Sequence, residues 1–390
     1  MANETVLRNA RIVLTDDVIL GSVKLTDGLI ADISAGASSV GDDMEGDFLT
    51  PGLVELHTDH LEGHYAPRPR VRWNPIAAVQ AHDAQIAASG ITTVFDALRI
   101  GFDEEAETDI EDMRKLSNAI AEGRDAGRLR ADHFLHLRCE VSAPDCLSAF
   151  ERFGSHPLVK LVSLMDHAPG QRQFADIESY KAYFLRKSNF SEEEFRLYCE
   201  KRIGQSQRYS APTRKVIADL CHARGIILAS HDDATVEHVA EAQAQGISVA
   251  EFPTTHMAAK ASRASGMSVL MGAPNIVRGG SHSGNVSARE LAEAGHLDIV
   301  SSDYIPASMM QSAFFWRKWW RIFRCRRLSA LYRPTRLAPC GLMIVARLPL
   351  ASAPIWCGCR WPNMCRSSAR SGGKASVCFS QLMLALSGSG

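Results

Sequence analysis

Beyond Asp303 the sequence contains no aspartate, glutamate or histidine: residues 304–390 hold 13 basic side chains and no acidic one, whereas residues 1–303 hold 30 basic and 44 acidic. The near-neutral total of −1 conceals that division. Any general base, carboxylate ligand or imidazole ligand must therefore come from residues 1–303. Cysteine is also sparse there, with only Cys139, Cys146, Cys199 and Cys221, the other six lying after residue 324. Their scattered placement argues against a disulfide framework and for reduced thiols. No run of about eighteen uncharged apolar residues exists to cross a bilayer. The opening Met-Ala-Asn-Glu-Thr-Val-Leu-Arg lacks the basic-then-apolar order of a signal peptide. A soluble cytoplasmic protein is expected. The Gly-x-x-x-x-Gly-Lys-Ser/Thr spacing is absent, which excludes a P-loop.

What is present changes character along the chain. Residues 5–50 read as short strands with Asp-, Gly- and Ser-rich turns, a small β domain assigned to residues 1–50. From Thr50-Pro51-Gly52 onward, apolar runs of strand length alternate with amphipathic helical stretches, the signature of parallel βα units. Eight strands are expected, at 53–57, 92–97, 134–140, 159–165, 226–230, 248–252, 268–272 and 298–302. Gly90, Gly225, Gly246, Gly266 and Gly295 stand just ahead of strands, where a left-handed helix cap is expected. Eight such units close a (β/α)8 barrel over residues 51–313, although a doubly wound sheet produces similar alternation.

The strand ends separate the two. His57 and Asp59 follow the first strand, Glu140 the third, Asp166 and His167 the fourth, His231 the fifth and Asp303 the eighth. In a barrel these carboxyl ends converge on one face. Zinc, manganese and iron take imidazole and carboxylate donors, and the two-residue strand period turns His57 and Asp59 to the same side. A single His or Asp after a strand is usually a cap or a satisfied polar residue. Five strand ends bearing ligand types in one register point to a metal site. His82, His133, His156, His222, His238 and His296 are expected on the surface or on helices, while His60, His64 and His256 are left as neighbours of the site.

The stretch leading to Glu55-Leu56-His57-Thr58-Asp59 resembles the first-strand motif of the amidohydrolase superfamily, with His-x-Asp in place of the usual His-x-His. Residues 164–174, 250–255, 271–287 and 301–308 resemble more narrowly the diphosphatases of the carbon–phosphorus lyase pathway, and the likeness runs from about residue 5 to about residue 313. It implies an amidohydrolase-type barrel holding two divalent ions, zinc first, with manganese or iron as alternatives. His57 and Asp59 would bind one ion, His167 and His231 the other. Glu140, or a carboxylated Lys160, would bridge them, Glu140 being preferred because Lys160 sits near the start of its strand. Asp303 would complete the ligand set and handle the proton of the attacking water. The implied reaction releases diphosphate from alpha-D-ribose 1-methylphosphonate 5-triphosphate in phosphonate catabolism. A C–N hydrolase, such as a cyclic amidase or deaminase, and an inactive homologue are the alternatives.

A triphosphate demands cationic and N–H donors. The loops supply Arg68, Arg70 and Arg72 after the first strand, Arg99 after the second, Arg172 after the fourth, and Arg278, Gly279, Gly280, Ser281 and His282 after the seventh. The expected partner is a small phosphorylated sugar, with no nucleic acid and no membrane, and a homo-oligomer is left open. Residues 314–390 fit none of this. They hold five of the six tryptophans, as in Trp316-Arg317-Lys318-Trp319-Trp320. A nucleic-acid or lipid tail lacks a motif, and Cys357-x-Cys359 with Cys365 lacks structural-zinc spacing. Loss of acids with gain of Arg, Ser, Cys, Trp and Pro suits a shifted reading frame, which would leave the last helix deficient and the β domain incomplete.

Overall fold

The computed structural model describes residues 4–14, 17–102, 108–172, 180–181, 191–281, 284–317 and 357–359. Near the amino terminus, β1 (Glu4–Val13), β2 (Val18–Thr26) and β3 (Leu29–Ala35) pair antiparallel, while β4 (Asp42–Asp43) and β5 (Phe48–Thr50) lie parallel to β1. Leu7, Ala10, Ile12, Val23, Ile30 and Leu49 form the buried face. Asp27 and Gly28 have φ of 52° and 81°, the backbone of a two-residue turn whose twist matches the strands it joins. The short strand Cys357–Cys359 adds antiparallel to β5. Residues 318–356 and 360–390, and with them most of the expected out-of-frame tail, lie outside the described residues.

Eight parallel strands follow: β6 (Leu53–Thr58), β7 (Ile91–Ile100), β8 (Asp132–Glu140), β9 (Val159–Met165), β10 (Ile227–His231), β11 (Val249–Glu251), β12 (Ser268–Gly272) and β13 (Ile299–Ser301). Each pairs with its neighbours in sequence, giving one eight-stranded sheet ordered from β6 to β13. Every expected strand is there, differing only at its ends. The sheet closes on itself through a single parallel bridge, Thr58 to Asp303. There Asp303 N donates to His57 O and Asp59 N donates to Asp303 O, both at 3.1 Å. Glu55 adds a side-chain clasp across the same seam, accepting from His57 N at 2.6 Å and Ser302 N at 2.5 Å. Burial opposes its charge and carries its pKa up to about 7.

The connecting helices are α1 (His60–Tyr65), α2 (Pro75–Ala88), α3 (Ile110–Asp125), α4 (Cys146–Phe153), α5 (Glu192–Arg224), α6 (Val236–Ala244), α7 (His256–Ala264), α8 (Ala273–Arg278) and α9 (Ala288–Glu293), with α10 (Ser308–Arg317) after the last strand. The five glycines expected to cap helices all have φ between 65° and 82°. Val54, Leu56, Phe95, Phe134, Leu161, Ala229 and Leu270 fill the barrel interior. Phe48 of the small sheet packs with Met310 and Phe314 of α10, so this helix ties the two sheets together across residue 313.

One polar cluster is built into the wall. His133 on β8 is fully buried and bonds to Asp96 Oδ2 at 2.7 Å and Asp83 Oδ1 at 3.3 Å. His82 on α2, also fully buried, bonds to Asp96 Oδ1 at 2.8 Å. The expectation of a surface or helix position is corrected for His133, which is buried on a strand, while His82 does lie on a helix; together they lock α2 onto β7 and β8 through carboxylates that could not be buried unpaired. Burial opposes protonation of His133, but Asp96, then Asp83, outweigh it and raise its pKa to about 9. A raised histidine pKa contributes stability that is complete below about 6.5 and lost as pH climbs through about 9. His133→Ala is expected to lower unfolding stability by about 3–5 kcal/mol, as breaking a buried ion pair does, and to flatten that alkaline decline in denaturant titrations. A variant with the wild-type slope between those pH values would contradict the assignment.

Candidate metal centre

The ligand-bearing face is set up by an irregularity in β6. Its register against β7 slips between Glu55 and Thr58, the effect of a bulge, which re-aims side chains. Leu56 packs in the barrel interior, and His57 also turns inward, edge-on to Phe252 at 4.9 Å and to His136 at 5.0 Å between ring centroids. Two sets of donors meet on this face: His57, Asp59 and Asp303, and beside them His167, His231 and Asp232, the donor atoms of each set lying within 4.8 Å of one another. The rings of His57 and His231 stack at 5.7 Å, so the sets share one pocket.

Two buried carboxylates orient these imidazoles from behind. Glu251 accepts from Nδ1 of His57 at 3.3 Å through one oxygen and from Nδ1 of His231 at 3.2 Å through the other. Glu140 accepts from Nδ1 of His167 at 2.7 Å and from its backbone N at 3.0 Å. A proton fixed on Nδ1 leaves the Nε2 lone pair free for a metal, the usual support of a histidine ligand. The Nε2 atoms do face carboxylates: His57 to Asp59 at 3.6 Å, His167 to Asp232 at 3.6 Å and His231 to Asp232 at 3.4 Å.

The electrostatics suit a cation. Burial opposes protonation of His167, yet Glu140 and then Asp232 carry its pKa up to about 9. Burial likewise opposes charge on Asp59, but Arg138, 2.6 Å away, and the neighbouring imidazoles hold its pKa below the usual range. Asp303 moves the other way, its pKa raised by burial and by Asp59. Asp232 Oδ2 is buried with no hydrogen-bond partner, an expensive state for a carboxylate oxygen unless a cation satisfies it. Histidine and carboxylate donors with one orphaned buried oxygen fit a divalent metal.

No family model matches the chain. The alpha-D-ribose 1-methylphosphonate 5-triphosphate diphosphatase of Escherichia coli (strain K12) is 49% identical over 311 residues, covering 79% of this chain and 82% of that protein. The chain belongs to this diphosphatase family. Among solved structures, an uncharacterized protein aligns with a TM-score of 0.51 and 14% identity over 92% of this chain and 93% of that one, a likeness of fold alone. N-acetyl-D-glucosamine-6-phosphate deacetylase from Mycobacterium smegmatis aligns with a TM-score of 0.48 and 14% identity, over 77% of this chain and 71% of that one. The diphosphatase-family chain thus carries its donor sets on one sheet of eight parallel strands closed between Thr58 and Asp303.

Within this family member the expected residues divide. His57, Asp59, His167, His231 and Asp303 come together. Glu140 does not bridge the two sets: its oxygens are engaged by His167 and by Ser142 at 2.6 Å, which places it behind His167. Lys160 is exposed near the start of β9. Asp166 instead holds α5, accepting from Ser206 at 2.7 Å and Ser210 at 2.5 Å. Arg172 is corrected as a phosphate ligand, because its buried guanidinium is paired with Asp233 and with Glu241 at 2.6 Å. Arg72 bonds to Asp112 at 2.9 Å. Arg68, Arg70, Arg278 and Gly279 are exposed, Gly280 and Ser281 half-buried. His282 lies outside the described residues.

Sequence reading missed Asp232, Glu251, His136 and Arg138. Asp232 is directly adjacent to His231 and Glu251 ends β11, so strand-end position was the available signal for both. Burial holds His136 neutral, lowering its pKa to about 3, and it bonds to Leu56 O at 3.0 Å and Ser163 Oγ at 2.9 Å. Gly272 carries a further constraint, since a Cβ there would stand 3.2 Å from Asp303 Oδ2. Gly272→Ala is therefore expected to displace that carboxylate and weaken metal affinity roughly tenfold in chelator competition, with little change in melting temperature. Unaltered affinity would show that Asp303 is not held by this contact.

Proposed function

We propose that this chain is a metal-dependent hydrolase that releases diphosphate from alpha-D-ribose 1-methylphosphonate 5-triphosphate. The observation that carries the reading is the pair of adjoining His/Asp sets at the strand ends, in a chain 49% identical to a diphosphatase of that name. His57, Asp59 and Asp303 would hold one divalent ion and His167, His231 and Asp232 the other, zinc suiting this donor set first, with manganese and iron as alternatives. When bound, such ions lower the pKa of water from 15.7 towards about 7 and neutralise phosphoryl charge.

The chain's own residues do the rest. Asp303 takes the proton from the attacking water as the oxygen–phosphorus bond forms. The anhydride bond breaks with its electron pair leaving on diphosphate, and the ribose product keeps a single 5-phosphate. Burial and the Asp59 charge raise the pKa of Asp303, which makes its carboxylate a stronger base for that proton. Glu251 and Glu140 keep the imidazoles oriented, and Arg138 holds Asp59 in place. Arg68, Arg70 and Arg278, with Gly279, Gly280 and Ser281, would bind the polyphosphate at the mouth, where guanidiniums pair with phosphate oxygens and glycines admit close backbone approach. The positive φ of Gly279, 83°, favours glycine at that turn.

The test is diphosphate release from the ribose triphosphate by metal-loaded protein, beside the Asp303→Asn variant. The variant is expected to lose about 10²–10⁴-fold in kcat with KM little changed, the range for removing a general base. Equal turnover by the variant, or ammonia release from cyclic amides without diphosphate release, would overturn the reading.

A further inference from the structure

Next to the proposed catalytic pocket lies a cluster of imidazoles that the reaction does not use. His60 and His64 stand four residues apart on α1, so they share one face of the helix. Their rings stack with centroids 5.1 Å apart. His82 approaches from α2, its ring centroid 6.3 Å from that of His60 and 5.9 Å from that of His64. One ring nitrogen from each of the three lies within 4.8 Å of the others. Nitrogens about 2.0–2.1 Å from a tetrahedral zinc are roughly 3.4 Å apart, so modest ring rotations would close the set.

The hydrogen bonds fix which lone pairs are available. His82 is fully buried, and its Nε2 bonds to the Asp96 carboxylate at 2.8 Å. A carboxylate only accepts, so Nε2 carries the proton and Nδ1 presents a bare lone pair. That Nδ1 is buried and has no hydrogen-bond partner, a state that costs about 1–3 kcal/mol for a polar group. Gln85 sets the other two rings: its amide nitrogen donates to His60 Nε2 and its carbonyl accepts from His64 Nε2, both at 3.1 Å. His64 therefore offers Nδ1, while His60 binds through Nε2 by exchanging its hydrogen bond from Gln85 for the metal. Asp96 behind His82 is the carboxylate–histidine arrangement that supports metal ligands elsewhere.

We propose that His60, His64 and His82 form a separate site for a borderline divalent transition metal, zinc in the first instance. Three neutral imidazoles suit such an ion. His60 and His64 are half-buried, which leaves the fourth position to water. The ion would pin α1, the segment that begins directly after Asp59, to α2, and through Asp96 to the barrel wall. Its role is structural support for the strand-end ligands and is independent of the reaction assigned to them.

The experiment compares wild type with His64→Ala and, as a second variant, His60→Asn, each stripped with chelator, reloaded with zinc and dialysed. Metal content per chain is read by mass spectrometry, and the zinc-induced rise in melting temperature by calorimetry. Either folded variant is expected to hold one zinc fewer per chain than wild type and to lose part of that rise. Cobalt-loaded wild type should also show absorption bands that diminish in both variants. Equal zinc content and an equal thermal shift in wild type and variants would overturn the proposal, whatever their activity.

Discussion

The Glu251 carboxylate, set between His57 and His231, is the contact on which the pocket depends. Each oxygen accepts from one Nδ1, so a single buried side chain fixes the tautomer and the orientation of two rings from different strands. Coulombic attraction to His136 and His57, with hydrogen bonds from His231 and His57, overcomes burial and holds Glu251 ionised well below the usual carboxylate range. The clamp works only because β6, β10 and β11 end at the same level of the barrel, which parallel pairing in chain order enforces.

The same face carries local strain. Asp232, Phe252 and Asp303 follow β10, β11 and β13 with φ of 55°, 53° and 55°. Left-handed backbone is tolerable for aspartate, whereas a residue as bulky as phenylalanine there costs about 1–3 kcal/mol. Packing of the half-buried Phe252 ring against His57 and His231 provides a counterweight. Closure imposes a second constraint: Thr58, Asp303 and the Glu55 clasp complete a barrel whose first and last strands otherwise share no ladder. His57 and Asp59 sit on one side of that seam and Asp303 on the other. The closing contacts and one set of proposed ligands are thus the same few residues.

Much of this was legible in the sequence because barrel periodicity is strong. Eight apolar runs punctuated by capping glycines gave the strands, and His57, Asp59, His167, His231 and Asp303 followed from reading the strand ends. Glu251 was hidden by one residue: with the sixth strand ending at 252, its last residue is Phe252, whereas β11 ends at Glu251. Asp232 directly follows the fifth barrel strand, which ends at His231, but lies two residues beyond the expected end at 230. His133 and Arg172 were misjudged for a different reason. Their carboxylate partners, Asp83 and Asp96 for one and Asp233 and Glu241 for the other, lie 37 to 69 positions away, beyond the reach of local pattern. The tail is the opposite case, since its composition departs from the rest of the chain so sharply that no periodicity could be assigned to it.

The most direct test of this account is the metal affinity of Glu251→Gln. A glutamine at that position has one acceptor and one donor end, so it can keep only one of the two imidazoles protonated at Nδ1 and turns the other to the tautomer that cannot bind metal through Nε2. Chelator competition is predicted to show affinity lowered about 10–100-fold, with the fold retained by circular dichroism. Wild-type affinity in a folded Glu251→Gln protein would contradict the claim that this carboxylate organises the centre.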